Sequence, residues 1–347
     1  MKTLFTPENI LVTGGSGFIG CNYIRYFLMK YPEIRIINLD KLTYAGSGKN
    51  VADVQNNSHY IFIQGDICNR ALLDKLLREY RVDTIVHFAA ETHVDRSIVD
   101  PEVFIQTNIV GTFTLLEAAK DYWRDEKKIS SRDCRFHHIS TDEVYGALKK
   151  HDTPFTEQSP YQPNSPYSAS KASADHLVRA YFHTYQLPVI TTNCSNNYGP
   201  YQHKEKFIPT IIDACLKQKP IPIYNDGSNI RDWLYVEDHC EALDIVLRNG
   251  KLGETYNIGS ENECSNLDIA KHITSLVDQY FPENAPHFRL IQFVKDRPGH
   301  DWRYAIDAAR LYKMLKWRPK YHFADGIEIT LRWYLQLWTL EKDLTRT

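Results

Sequence analysis

Through the first half of the chain, short apolar runs alternate with stretches whose apolar residues recur every three or four positions. "NILVTGG", "RIINLD", "YIFIQGDI" and "TIVHFAA" have strand length and almost no polar interruption, the pattern of strands covered on both faces. "GFIGCNYIRYFLMKY" and "RALLDKLLREY", between them, carry the helical spacing, and "NIVGTFTLLEAAKDYW" predicts a further helix. A charged connector at 124–133 reads as a surface loop. "FHHIS" then predicts a strand, "SPYSASKASADHLVRAYFHTY" a long helix and "LPVITTN" another strand. This alternation predicts an α/β fold with a doubly wound parallel sheet. After "NNYGP" the rhythm loosens and Pro and Gly become frequent, which predicts a smaller, irregular carboxy-terminal substrate domain. The expected division is 1–197 and 198–347, partly interleaved, with the chain returning to the first unit around 236–262. No internal repeat or low-complexity segment interrupts this order.

The bulk composition narrows the class. A chain of 347 residues fits about two domains, and 43% hydrophobic with 24% charged residues is ordinary for a globular protein. A net charge of −2 argues against nucleic acid or an anionic membrane as partner. No apolar run approaches the ~18 residues of a membrane span, and "MKTLFTPEN" lacks a signal peptide's apolar core, so a cytoplasmic protein is expected. The seven cysteines, Cys21, Cys68, Cys134, Cys194, Cys215, Cys240 and Cys264, are scattered without a C-x-x-C pair. Neither a zinc site nor a disulfide framework is indicated, and no metal is expected.

"VTGGSGFIG" ends a predicted strand and opens a helix. Gly14, Gly17 and Gly20 let the backbone turn tightly and approach a pyrophosphate at the helix N-terminus, the arrangement of a Rossmann-type dinucleotide site. Asp40, 20 residues after Gly20, closes the next strand, where a carboxylate accepts from the adenosine ribose and repels a 2′-phosphate. NAD is therefore expected over NADP, although Lys41 next to it tempers that preference. Asp66 in "GDI" ends a later strand and is a candidate for the adenine, or a plain surface aspartate.

Two patterns then bear on chemistry. "STDEVYG" sets Asp142 and Glu143 side by side where a strand meets its loop; such a pair ordinarily caps a helix or stands in water. "YSASK" puts Tyr167 and Lys171 four apart on one helix face. A tyrosine of ordinary pKa near ~10 is a poor base, and a neighbouring ammonium together with a nicotinamide ring is expected to lower it.

With "TGGSGFIG", "LDKLTYAG", "GDI", "HFAAETHVDRSI", "STDEVYG", "YSASK", "NCSNNYGP", "EKFIP", "RDW" and "DRPGHDWRYAID" in order, the sequence from Asn9 to Trp333 resembles the nucleotide-sugar 4,6-dehydratases of the extended short-chain dehydrogenase/reductase family. The resemblance implies a lyase that oxidises C4 of a nucleoside-diphosphate-glucose, eliminates water across C5 and C6, and returns the hydride to C6. It favours dTDP-glucose over UDP-glucose and implies a retained NAD. Tyr167 and Lys171 would serve the oxidation, Thr141 the C4 oxygen, Glu143 the C5 proton and Asp142 the departing C6 hydroxyl. For both carboxylates to face one sugar, the backbone must turn at this point.

By the same resemblance, Phe18, Ile19, Leu42, Thr43, Ile67, Ala89, Ala90, Thr92, Thr107 and Asn197 join the residues above along the cofactor. Thr92, Thr141, Asn196, Lys206, Phe207, Arg231, Asn266, Arg297 and His300 would hold the substrate, with Pro222 and Tyr224 beside its base. His93 and Asp95 read as a hydrogen-bonded loop. The helices "PEVFIQTNIVGTFTLLEAAK" and "SPYSASKASADHLVRAYF" resemble those that pair in homodimers. A 4-epimerase, a decarboxylase and a non-catalytic NAD-binding regulator are the competing readings; adjacent carboxylates speak against the first two, and an intact Thr-Asp-Glu-Tyr-Lys set against the third.

Overall fold

Ile10 and Val12 of strand β1 (Asn9–Thr13) point into one apolar layer, and Leu11 between them into another. That alternation repeats because the sheet is parallel and covered on both faces. The computed structural model describes residues 4–346, so residues 1–3 and 347, the outermost parts of the expected domains and the start of "MKTLFTPEN", lie outside the described residues.

Seven strands form the main sheet: β1, β2 (Arg35–Asp40), β3 (Tyr60–Gln64), β4 (Thr84–His87), β5 (Arg135–Thr141), β6 (Val189–Cys194) and β10 (Thr255–Ile258). Their order is β10-β6-β5-β4-β1-β2-β3, every pairing parallel. On one face lie α1 (Phe18–Lys30), α8 (Val236–Asn249) and α10 (Ala309–Leu315), burying Ile24, Phe27, Leu243, Val246 and Leu311. On the other lie α2 (Arg70–Glu79), α5 (Thr112–Ala119) and α6 (Pro166–Tyr185), burying Leu73, Leu77, Leu116 and Val178. Each such side chain contributes about 1.5–3 kcal/mol on leaving water.

Two short helices, α3 (Val94–Val99) and α4 (Glu102–Phe104), follow β4 and lead into α5. Wider π-type turns at Ile105–Gly111 and Lys120–Glu126 flank α5, so helix continues to Glu126. The expected loop at 124–133 is thus shorter. Buried Tyr122 and Trp123 hold this end down; the Trp123 indole donates to the Val82 carbonyl at 2.7 Å, and Glu126 meets Arg78.

The smaller lobe combines α7 (Phe207–Leu216), α9 (Asn266–Tyr280) and α11 (Phe323–Arg346) with two small sheets. One joins β11 (Glu263–Ser265), β9 (Ile230–Tyr235) and β7 (Asn196–Tyr198); the other pairs β12 (Ile291–Val294) with β8 (Ile221–Tyr224). The 198–347 segment is less contiguous than expected. Besides α8 and β10, Ala308, Leu311, Tyr312 and Trp317 pack into the core over α1 and α8. Their segment is too short to announce itself by periodicity. All seven cysteines are free.

Candidate active site

The C-terminal ends of β1, β2, β4, β5 and β6 open into one cleft. Gly14, Gly17, Phe18, Ile19 and Gly20 line it at the β1–α1 turn. Gly14 has φ +72°, and a Cβ there would lie 2.6 Å from the Ala89 nitrogen; one on Gly20 would meet the Gly14 carbonyl at 2.4 Å. The turn thus needs residues without side chains. Helix α1 begins with no side-chain cap and no acid in its first turn, leaving its N–H groups open to an anion. Asp40, Lys41 and Thr43 line the next wall. The Asp40 carboxylate accepts from the Ser16 and Leu42 N–H groups, each at 2.8 Å, and keeps further lone pairs toward the cleft. Leu42 is held through this backbone bond and does not itself line the cleft. Lys41 pairs with Asp66 at 2.8 Å, so the cation beside Asp40 is engaged. Ile67, Ala89, Ala90, Thr92 and Thr107 complete this half, Thr107 from a π-type turn. A glycine cradle, an open helix N-terminus and a carboxylate at the second strand end together fit a dinucleotide such as NAD.

At the other end, β5 stops at Thr141, whose Oγ1 accepts from the Glu143 N–H at 3.3 Å and caps a 3-10 turn over Asp142–Tyr145. The turn brings both carboxylates to the cleft. Opposite them α6 starts at Ser165, which shares a reciprocal cap with Ser168, followed by Pro166 at the first helical position. This fixes the phase that turns Tyr167 and Lys171 into the cleft.

Burial sets the protonation states. Asp142 is 2% exposed, and lost hydration, then the Glu143 charge, hold its pKa well above the usual carboxylate range. Its Oδ2 is buried without a partner. Glu143 is also raised by lost hydration, but Arg231, Arg297 and Lys206 oppose the shift. Asp142 is thereby held protonated, while the three cations keep the rise at Glu143 in check. The expected lowering of Tyr167 calls for a nicotinamide ring as well as Lys171, and Lys171 alone does not bring it about. The Tyr167 pKa is raised well above the ordinary value, first by lost hydration and then by Glu143. The Lys171 ammonium is buried too and donates to the Ile139 carbonyl at 2.8 Å. A hydrogen bond with Thr141 opposes the rise at Tyr167.

Asn196, Asn197 and Lys206 line the cleft where the smaller lobe meets the sheet. The Asn196 Oδ1 is buried and unpartnered, Asn197 is held by His239 at 2.9 Å, and the Lys206 ammonium donates to the Thr92 carbonyl at 3.0 Å. Arg231, Arg297, His300 and Tyr224 form a second group just beyond. Arg231 lies over the Tyr304 ring at 4.3 Å, and the rings of Tyr224 and His300 meet at 5.6 Å. Phe207, Pro222 and Asn266 stand outside the cleft lining. Phe207 stacks on Trp233, Pro222 is exposed on β8, and Asn266 opens α9.

One buried group went unremarked in the sequence. Asp175, one turn beyond Lys171, receives His138 at 2.9 Å and the Ser140 hydroxyl at 2.8 Å, tying α6 to the end of β5. Burial pushes its pKa up to about 6, with the Lys171 charge opposing. The Tyr-x3-Lys-x3-Asp spacing was the available signal. Ser195 and Gln202 also line the cleft with unpartnered oxygens, and nothing in their local sequence marks them.

Comparison with known proteins agrees with this geometry. The family model described as GDP-mannose 4,6 dehydratase matches residues 11–330. A dTDP-glucose 4,6-dehydratase of Neisseria meningitidis is 54% identical over 332 residues, covering 94% of this chain and 93% of that protein. The dTDP-glucose 4,6-dehydratase of Bacillus anthracis, solved with NAD, is 46% identical with a TM-score of 0.85, over 95% of this chain and 97% of that one. That of Streptomyces venezuelae, solved with NAD and dTDP, is 43% identical with a TM-score of 0.86, over 94% and 97%.

Proposed function

The chain belongs to the GDP-mannose 4,6 dehydratase family, and on that footing we propose that it dehydrates dTDP-glucose to the 4-keto-6-deoxy sugar as an NAD-dependent hydro-lyase. The observation that carries this reading is the adjacent pair Asp142 and Glu143 in one cleft with Tyr167 and Lys171. An epimerase needs only the last two.

Gly14, Gly17, Gly20, Asp40 and Asp66 would hold NAD, with Thr107 and Asn197 along its length. Bound NAD would supply the hydride acceptor for oxidation at C4 and the hydride donor for reduction at C6. Thr141 holds the C4 hydroxyl while Tyr167 takes its proton, Lys171 anchoring β5 behind them. The resulting C4 carbonyl acidifies the C5 hydrogen, and Glu143 removes it. Asp142 gives its proton to the C6 oxygen, which leaves as water. After the hydride has reached C6, Glu143 returns the proton to C5; Tyr167 then gives up its proton to solvent and Asp142 takes one from it, so the sum is loss of one water with no net oxidation. Asn196 orients the sugar, and Lys206, Arg231, Arg297, Asn266 and His300 meet the nucleoside diphosphate, for which planar guanidiniums suit paired oxygens. Phe207 joins the substrate-holding residues, and Pro222 and Tyr224 lie toward the base.

The proposal includes a homodimer and a cytoplasmic setting. Val103, Ile105 and Phe113 are exposed along the helical stretch from Pro101 to Lys120, part of the expected pairing face. Among the described residues no helix is long and apolar enough to cross a membrane.

The test is turnover of dTDP-glucose without added NAD, with UDP-glucose and GDP-mannose alongside and the products weighed by mass spectrometry. Loss of one water from dTDP-glucose at the highest rate is expected. Unchanged mass with all three sugars would refute dehydration, and inversion at C4 would make the enzyme an epimerase.

A further inference from the structure

Asp95 lies on α3, at the sheet side of the cleft, yet its contacts run to the smaller lobe. Its Oδ1 is 3.4 Å from Nε of Arg297, and its Oδ2 accepts from the Tyr224 hydroxyl at 3.2 Å. Its charge also acts on Lys206. Arg297 is only 14% exposed along its side chain, and its Nη1 is buried without a partner. The neighbouring His300 is hydrogen-bonded to a carboxylate, its Nδ1 2.6 Å from Asp296. Arg297 and His300 thus already face carboxylates, whereas Arg231 donates to the backbone carbonyls of Ile230, Asp301 and Trp302.

An incoming diphosphate and Asp95 are like charges competing for one guanidinium, and like charges brought together cost binding energy. We propose that Asp95 is a resident competitor: it holds Arg297 in the free enzyme, yields it to the diphosphate, and keeps nucleotide affinity below what the cations alone would give. This rests on the nucleotide-sugar reading above. Substrate and product carry the same nucleotide, so tighter grip on it binds both equally, lowers KM without speeding the chemistry, and slows release. A built-in competitor relieves that retention. Asp95 is hydrogen-bonded, as expected in the sequence, though on a short helix and not in a loop.

The test is calorimetric titration of dTDP into the NAD-loaded enzyme and its Asp95→Asn form, with kcat and KM for dTDP-glucose from both. Asp95→Asn is expected to bind dTDP about tenfold more tightly and to lower KM without raising kcat. In an Arg297→Met background the same substitution should have little effect, because the partner is gone. Unchanged or weaker dTDP binding by Asp95→Asn would overturn the proposal, as would an equal gain in the Arg297→Met background. A gain in affinity cannot arise from misfolding. If the unmodified protein neither bound dTDP nor turned over its sugar, the functional reading would fall, and this inference with it.

Discussion

Asp142 and Glu143 are consecutive residues whose side chains line the same cleft, because the backbone leaves the extended form after Thr141 and enters a 3-10 turn. Their surroundings divide them. Asp142 is fully desolvated beside a like charge, whereas three cations act on Glu143. An acid and a base thus arise from adjacent carboxylates.

Asp142→Asn should lower turnover by about 10²–10⁴, the usual contribution of a positioned acid, while stabilising the fold. Burial raises the folded pKa of Asp142, so the folded protein keeps a proton that the unfolded chain has lost. The folded state is penalised increasingly as pH climbs from the ordinary carboxylate value to the folded one, and not below it. Thermal melts should show Asp142→Asn with the higher Tm at pH 7, and the gain shrinking below about pH 4. An equal gain at both pH values would mean that ionisation is not its source.

Glu143→Gln should still permit oxidation at C4. Reduced nicotinamide is expected to accumulate in its near-ultraviolet band on mixing with dTDP-glucose, with water loss about 10²–10⁴ slower. Absence of that band would move Glu143 to the oxidation step.

Tyr167 should be un-ionised at neutral pH in the cofactor-free protein, since burial and Glu143 both disfavour its phenolate. Ultraviolet difference spectra against Tyr167→Phe should show no phenolate until NAD is added. A phenolate signal before NAD would show that Lys171 suffices.

Asp40→Ala removes the acceptor for two backbone N–H groups. A cost of about 1–3 kcal/mol is expected in denaturant melts, with NAD lost on purification. Retention of stoichiometric NAD would displace Asp40 from the cofactor site.

Local geometry accounts for what could be read in advance. The glycine turn, Asp40 at a strand end and the Tyr167–Lys171 spacing each depend on a few adjacent residues, so their patterns survive in the linear chain. The need for a turn at Asp142 followed from strand alternation once the resemblance set both carboxylates toward one sugar. The rise at Tyr167 in the cofactor-free protein did not, because it comes from burial in packing and from the charge of Glu143, 24 positions away. Arg231 and Arg297 look like surface residues singly and gain meaning only together, across the cleft from Asp95. The return of Ala308 to Trp317 was hidden because a seven-residue helix carries little periodic signal.

Strand β10 closes the sheet edge beside β6 only after the chain has built β7, β8 and β9 elsewhere, and the segment holding α10 comes back once more. The smaller lobe is therefore stitched into the sheet and cannot be exchanged as a cassette. A graft of another enzyme's lobe would have to splice every seam at once, each inside a buried layer. Changes of nucleotide preference on this scaffold should accordingly be sought one side chain at a time, around Tyr224, Arg297 and Asp95, with the framework left whole.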